Sequence, residues 1–292
     1  MTLYSSGAMF KSIYSDGGPC KEASKLKPFQ YYLIGDLLAF LLIVTAPAVV
    51  LAQSRSSSDA AMALIKSYPD FLDRIEANDL VWKDGTRMRI DDGKGAKAFD
   101  AMLDEPDIKD MFLMKYPVGA QSRAPDVNFD PGRVRYAPLF KKIYGDCRTA
   151  GFMANAADVV WLPSKYGKTV KFTKINGAAA ALQHVSDELD KLPQRFLAYL
   201  RPTQGTYNCR AIAGTNRYSA HRFGIAIDIA GAHSHYWAWS KPDANGRFPY
   251  KNEIPWEIVH IFEKHGFIWG GKWYHYDTMH FEYRPEMIVP AN

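Results

Sequence analysis

The sequence predicts an α+β fold: a small antiparallel sheet flanked by helices, with a mostly helical N-terminal extension. Three observations carry this. Residues 224–230 (Gly-Ile-Ala-Ile-Asp-Ile-Ala) alternate strictly, the period of a half-buried strand. Ala178, Leu182, Val185 and Leu189 recur at helical spacing in a stretch that Pro193 closes. Asp84-Gly85 is a tight-turn pair between two short apolar runs, the mark of a hairpin. With 292 residues, 47% hydrophobic, the chain is long enough for one or two domains with a full core.

From the N-terminus, Lys25 and Lys27 precede an apolar run over 37–52 that ends in small residues at Val50 and Ala52. This describes a secretory signal peptide cut after Ala52. An uncleaved membrane anchor is the alternative, although the run is short of the roughly 20 residues a span needs, and Asp36 and Pro47 count against it. Residues 1–52 are therefore read as leader or anchor, 53–58 as a polar linker, 59–132 as the extension and 133–292 as the main domain. The body of the protein is expected to be exported, to the periplasm or cell wall. Cys20 would leave with the leader. Cys147 and Cys209 would remain as one pair in an oxidising compartment, where a bridge is favoured over two free thiols. The net charge of +5 is mild. No basic run with interleaved aromatics is present, which excludes a nucleic-acid partner. Any membrane contact is confined to the N-terminal segment, and nothing in the sequence sets an oligomeric state.

In order, 60–65 and 71–77 read as short helices separated by Pro69. Residues 80–82 and 86–90 form the hairpin. Residues 94–103 and 108–115 read as helices, and 117–132 as loop. The extension holds no residue set that suggests chemistry. Residues 133–144 read as a helix interrupted by Pro138. Residues 159–162 and 169–175 read as strands. Asn176 suits the N-cap of a helix over 177–191, and 194–200 reads as one more short helix. Pro255 opens a helix that Gly266 stops. The glycines of 267–273 suit a hairpin, and its aromatics, Trp273 among them, line either a cleft or the core.

The chemistry lies in two stretches, Ser219-Ala-His-Arg-Phe-Gly-Ile-Ala-Ile-Asp228 and Asp277-Thr-Met-His280-Phe-Glu282. Asp228 stands between two alanines in a strand of isoleucines, an expensive position for a carboxylate without a partner. A cation removes that cost. Gly224 lets the chain bend so that His221 lies beside Asp228. His280 and Glu282 share a strand face. Asp277 has the opposite parity, so a bend is expected around Thr278. Two imidazoles, one ligating carboxylate and one spare carboxylate match a zinc site with three protein ligands and an open fourth position. His275 is the residue that would close that position. His233 and His235 read as a surface pair, and His260 and His265 as helix-surface or capping residues.

These motifs resemble the VanY-type D-alanyl-D-alanine carboxypeptidase and L-alanyl-D-glutamate endopeptidase family of zinc peptidases, whose fold is shared with lysostaphin-type enzymes and the hedgehog signalling domain. The pattern S-x-H-x-x-G-x-A-x-D is met by Ser219, His221, Gly224, Ala226 and Asp228. The later glycine-rich element is met by Gly266 to Trp273, Asp277 and His280. The resemblance covers about residues 145–287. It implies His221, Asp228 and His280 as ligands of one Zn2+ and Asp277 as general base. An Asp at that place, where many relatives carry Glu, tilts the reading toward an endopeptidase. Relatives also carry an arginine upstream. Its nearest match is Arg210, in a compressed segment that lacks the family's serine, with Arg217 in reserve. Ser219 would hold substrate, orient a ligand or shape the turn, and Trp273 would contact substrate. Family and export together imply peptidoglycan stem peptides as substrate. The rival reading is a non-catalytic zinc protein of the cell wall on the same fold.

Overall fold

Three short antiparallel sheets and seven α-helices make up the described part of the chain. The computed structural model describes residues 56–212 and 214–288. The leader or anchor over 1–52 lies outside them. No helix among the described residues is long and apolar enough to cross a membrane.

Helix α1 (Ser57–Ser67) is capped by Ser56, whose hydroxyl accepts from the Asp59 amide. A three-stranded meander follows: β1 (Leu72–Glu76), β2 (Asp79–Trp82) and β3 (Arg87–Arg89). The hairpin across Asp84-Gly85 stands as expected, with Gly85 at φ +81°. Within 71–77, where the sequence reads as helix, Leu72–Glu76 form a strand. Ala77, at φ +53°, turns the chain so that β1 pairs with β2, and the Phe71/Ile75 spacing that suggests a helix is overridden by that pairing. The extension is therefore less helical than expected. Helix α2 is only Phe99–Asp104, because 91–98 is occupied by turns with Gly93 and Gly95 at positive φ. Residues 108–115 keep a single 3-10 turn, Asp110–Phe112.

Helix α3 (Ala137–Tyr144) carries Pro138 in its first turn, so the proline starts the helix and does not interrupt it. Residues 133–136 stay outside the helix, which frees Arg133 and Arg135 to reach the site. Strands β4 (Ala156–Trp161) and β5 (Lys168–Thr173) form a hairpin in continuous register. Helix α4 (Ala178–Leu189) packs on it and buries Leu182, Val185 and Leu189. Asn176 does not cap α4. It sits at φ +53° and gives its side-chain amide to the Ser67 carbonyl, leaving Gly177 at the cap. Helix α5 (Leu197–Leu200) follows.

The central sheet has the order β6-β8-β7, all antiparallel, from β6 (Ala226–Asp228), β7 (Phe267–Trp269) and β8 (His280–Tyr283). Helix α6 (Trp256–Lys264) leads into β7 through Gly266 at φ +83°, and α7 (Pro285–Ile288) ends the described chain. Ile227, Ile229, Phe267 and Phe281 face a core shared with β4, β5, α4 and α6. Ile225, Ile268 and Trp273 join a second core with α1, β2 and α3. The extension is thus packed into the same body as the central sheet. Burying its apolar side chains at about 25 cal/mol per Å² is what holds it there.

Candidate metal centre

Strand β8 brings His280 directly opposite Asp228 in β6. Antiparallel pairing puts the two side chains on one face. His221 arrives by another route. Ser219 caps a 3-10 turn, Ala220–Phe223, accepting from the His221 amide at 3.4 Å, and Gly224 at φ +68° reverses the chain into β6. The left-handed turn at Gly224 folds His221 back beside Asp228.

Three ligand-type atoms then converge. His221 Nε2 lies 3.1 Å from Asp228 Oδ1 and 3.2 Å from His280 Nδ1, and His280 Nδ1 lies 3.0 Å from Asp228 Oδ1. A triangle of this size leaves each atom about 2 Å from a common point, the length of a metal–nitrogen or metal–oxygen bond. The opposite nitrogen of each ring is also held. His221 Nδ1 faces the Thr206 carbonyl at 3.2 Å, and His280 Nε2 faces Glu282 Oε2 at 3.2 Å. Such partners select the tautomer that presents a lone pair to a cation. Both imidazoles are buried, at 5% and 6% exposure, so the site is shielded from competing water. The donor set fits a divalent cation, and the group could bind one.

Glu282 is fully buried and would be untenable alone. Arg135 bonds it through Nε at 3.1 Å, and Arg284 through Nη1 at 2.9 Å. Burial alone would raise its pKa, but Arg135, His280 and Arg284 together hold it below the usual carboxylate range. Burial also disfavours the charged form of His280. Its hydrogen bonds to Asp228 and Glu282 outweigh that and push its pKa up to about 10 without metal. Asp228, despite burial, is held well below its ordinary value by the two imidazoles.

Asp277 sits where the chain turns into β8. Its carbonyl accepts from the His280 amide at 3.2 Å, and its own amide donates to Gly270 at 3.0 Å. The expected bend is present: residues 278–279 form a turn ahead of β8. A Cβ on Gly270 would lie 2.6 Å from the Asp277 carbonyl oxygen, which is why a glycine stands there. Asp277 Oδ1 is buried and has no hydrogen-bond partner. Burial pushes this carboxyl up to about 6, with His280, Asp228 and His221 close enough to act on it electrostatically.

Residues 213–283 match the family model described as D-alanyl-D-alanine carboxypeptidase. The family resemblance, read from the sequence over about residues 145–287, is met over 213–283, a stretch that contains His221, Asp228, Asp277 and His280. No curated protein and no solved structure matches the chain. Peptidases of the matched family are metal-dependent, in keeping with the donor set.

The other expected residues lie elsewhere. Arg210 is exposed, and its guanidinium meets the Ala211 carbonyl at 3.5 Å. Arg217 stands on a neighbouring cleft with Asp104 as its nearest acid. Ser219 is the turn cap. Trp273 is buried beside His280, 5.6 Å between ring centres, and its Nε1 donates to the Pro131 carbonyl. Cys147 and Cys209 are bonded, with Cα atoms 5.8 Å apart. His275 faces away from the metal position: Nδ1 meets Asp130 at 2.7 Å and the ring stacks on Phe99. Among the described residues no fourth His, Cys, Asp or Glu joins the three ligands. His233 and His235 both bond Glu253, and His265 bonds Glu188. Sequence reasoning missed Arg135 and the Thr206 carbonyl. Arg135 lies 147 positions from Glu282 and a backbone carbonyl has no residue signature, so no spacing signals either.

Proposed function

We propose that the protein is a zinc-dependent peptidase that hydrolyses peptide bonds of peptidoglycan stem peptides, as an L-Ala-D-Glu endopeptidase or a D-Ala-D-Ala carboxypeptidase. One observation carries the reading: three ligand atoms converge while each imidazole's second nitrogen rests on an orienting acceptor. His221, Asp228 and His280 would hold a divalent cation, which when bound would supply Lewis-acid activation of water and polarisation of the scissile carbonyl.

The chain's own residues do the rest. Thr206 and Glu282 hold the two rings so that neither rotates as charge changes at the site. Asp277 Oδ1 is the free basic atom. It takes a proton from water as the oxygen attacks the carbonyl carbon, and delivers it to the leaving nitrogen as the C–N bond breaks. Burial raises this carboxyl in the metal-free protein, which favours its receiving a proton. Export supports the substrate class, and the bonded Cys147–Cys209 pair supports export.

The test is a pair of variants assayed on defined muropeptides, with products read by mass spectrometry and metal by elemental analysis. Asp277→Ala keeps one metal per chain and loses about 100-fold or more in kcat. His221→Ala loses both metal and activity. Near-normal turnover by Asp277→Ala removes Asp277 as the base. The products also separate endopeptidase from carboxypeptidase.

A further inference from the structure

A groove of about 410 Å³ lies outside the metal centre, between residues 120–124 and the stretch that leads into α6. Its volume is within the roughly 300–1,000 Å³ of small-ligand sites. Tyr250 and Trp256, each half-buried, stand in its walls, and the buried Trp269 completes the lining. The Tyr250 hydroxyl is already committed, donating to the Gly271 carbonyl at 2.8 Å, so the residue offers its ring. Lys272 Nζ sits 4.8 Å from the centre of the Trp256 ring and covers one of its faces. The 120–124 lip is anchored alongside. Gly119 donates its amide to Glu263 Oε2 at 3.0 Å, and Lys272 bonds the Gly119 carbonyl at 2.7 Å.

The lining is selective. Gln121 donates through Nε2 to the Arg123 carbonyl at 2.8 Å, which fixes Oε1 as its acceptor end. That Oε1 is buried and has no hydrogen-bond partner. A wholly apolar ligand would leave it unpaired, at a cost in free energy. An anion would face that oxygen. Among the described lining residues only Arg123 is charged, and it is paired with Asp126 through bonds of 2.9 and 3.1 Å. A cation would find no carboxylate there. The ligand that fits is neutral, with apolar faces and hydrogen-bond donors at its edge. A pyranose ring has that form: its C–H faces stack on aromatic rings while its rim carries hydroxyl or amide groups.

We propose that this groove binds an N-acetylated pyranose, its ring against Tyr250 and Trp256 and its acetamido N–H donating to Gln121 Oε1. On the peptidase reading, on which this last step rests, the sugar belongs to the glycan strand that carries the stem peptide. Trp269 pairs with Phe281 and stacks on it, on the sheet face opposite to that of His280. The sugar site is therefore separate from the metal centre, and two contacts join them. Trp269 Nε1 donates to the Thr278 carbonyl at 2.8 Å, and Asp277 donates its amide to the Gly270 carbonyl at 3.0 Å. A glycan strand held there leaves the metal free for the attached peptide.

Calorimetry on the full chain measures binding of tri-N-acetylchitotriose, with cellotriose, which has hydroxyls in place of the acetamido groups, as the comparison. Wild type is expected to bind the N-acetylated trimer about five- to tenfold more tightly. Gln121→Leu should weaken that trimer by about the same factor and remove the preference. Trp256→Ala should weaken both trimers about tenfold. Melting temperatures monitor folding, and Gln121→Leu, on the lip, keeps the test standing if Trp256→Ala does not fold. On the metal-loaded protein, a pentapeptide bearing its disaccharide should show a lower KM than the bare pentapeptide, an advantage that Gln121→Leu abolishes. No binding of the N-acetylated trimer by wild type, equal affinity for cellotriose, or unchanged affinity in a folded Gln121→Leu overturns the assignment. Equal KM values for the two peptides overturn the link to the glycan strand. The expected binding pattern without hydrolysis of either peptide would instead remove the peptidase reading and leave a saccharide site.

Discussion

His280 is the residue at which the site's electrostatics converge. Without metal its ring lies between Asp228 and Glu282, and its pKa rises from 6.5 to about 10. A histidine raised on folding stabilises the fold fully below its unfolded pKa, and that stability is lost as pH climbs through the folded one. The metal-free protein is therefore expected to lose melting temperature between about pH 6.5 and 10. His280→Gln should flatten that slope in a thermal-shift series across the range. Metal competes with the proton on Nδ1, so binding at neutral pH should release protons. Titrations in two buffers of different ionisation enthalpy would give different apparent heats, and identical heats would contradict a charged His280. Asp277 acts in the same direction at lower pH: its raised pKa means an ionised carboxylate disfavours the metal-free fold as pH rises from 3.8 to about 6.

Strand β8 is the element that carries the centre. It presents His280 to the metal position and, two residues on, Glu282 to the second nitrogen of the same ring. Glu282 in turn joins Arg135 and Arg284, and Arg284 leads to Glu286 and Tyr68. One carboxylate thus serves both the metal ligand and a buried ion network. Glu282→Gln is expected to weaken metal affinity about 10- to 100-fold, checked by competition with a chromogenic chelator. Because it leaves the buried Arg135 guanidinium without its anion, while Arg284 keeps Glu286, it should also lower stability by about 3–5 kcal/mol, measured by urea unfolding. A stability loss without any change in metal affinity would reduce Glu282 to a structural role. The helical pattern of α4 and α6 was legible because period and breakers are local properties. Strand β1 was not, because Phe71 and Ile75 satisfy a helix template equally well and only pairing with β2 decides between them.

Across the whole molecule, the Cys147–Cys209 bond ties the turn after α3 to the loop that contains Thr206. Asp146, beside Cys147, bonds Arg222 at 2.9 Å, next to His221. Arg148 foremost, then Lys141 and Arg222, hold the Asp146 carboxyl far below its ordinary range. Reduction opens a loop of 62 residues' separation and is expected to cost about 4 kcal/mol on the chain-entropy account. Urea unfolding with and without reductant measures it. Because the Thr206 carbonyl orients His221, reduction should also lower metal affinity. The long-range ties of the extension act at this same scale. Lys272 bonds Glu263 and the Gly119 carbonyl, and Tyr116 bonds Glu263 at 2.7 Å.

The amino-acid sequence by itself pointed to the His221, Asp228 and His280 group that could hold a metal, to the glycine turns and to the peptidase resemblance, because the motifs lie in stretches of about ten residues where chemistry and spacing are local. Only the tertiary structure decided what surrounds those side chains: the arginines behind Glu282, the carbonyl behind His221 and the cleft between α2 and Arg217. The Arg135–Glu282 and Asp104–Arg217 contacts each span more than 100 positions. They arise where two cores bury apolar surface together, and burial has no preferred spacing along a chain.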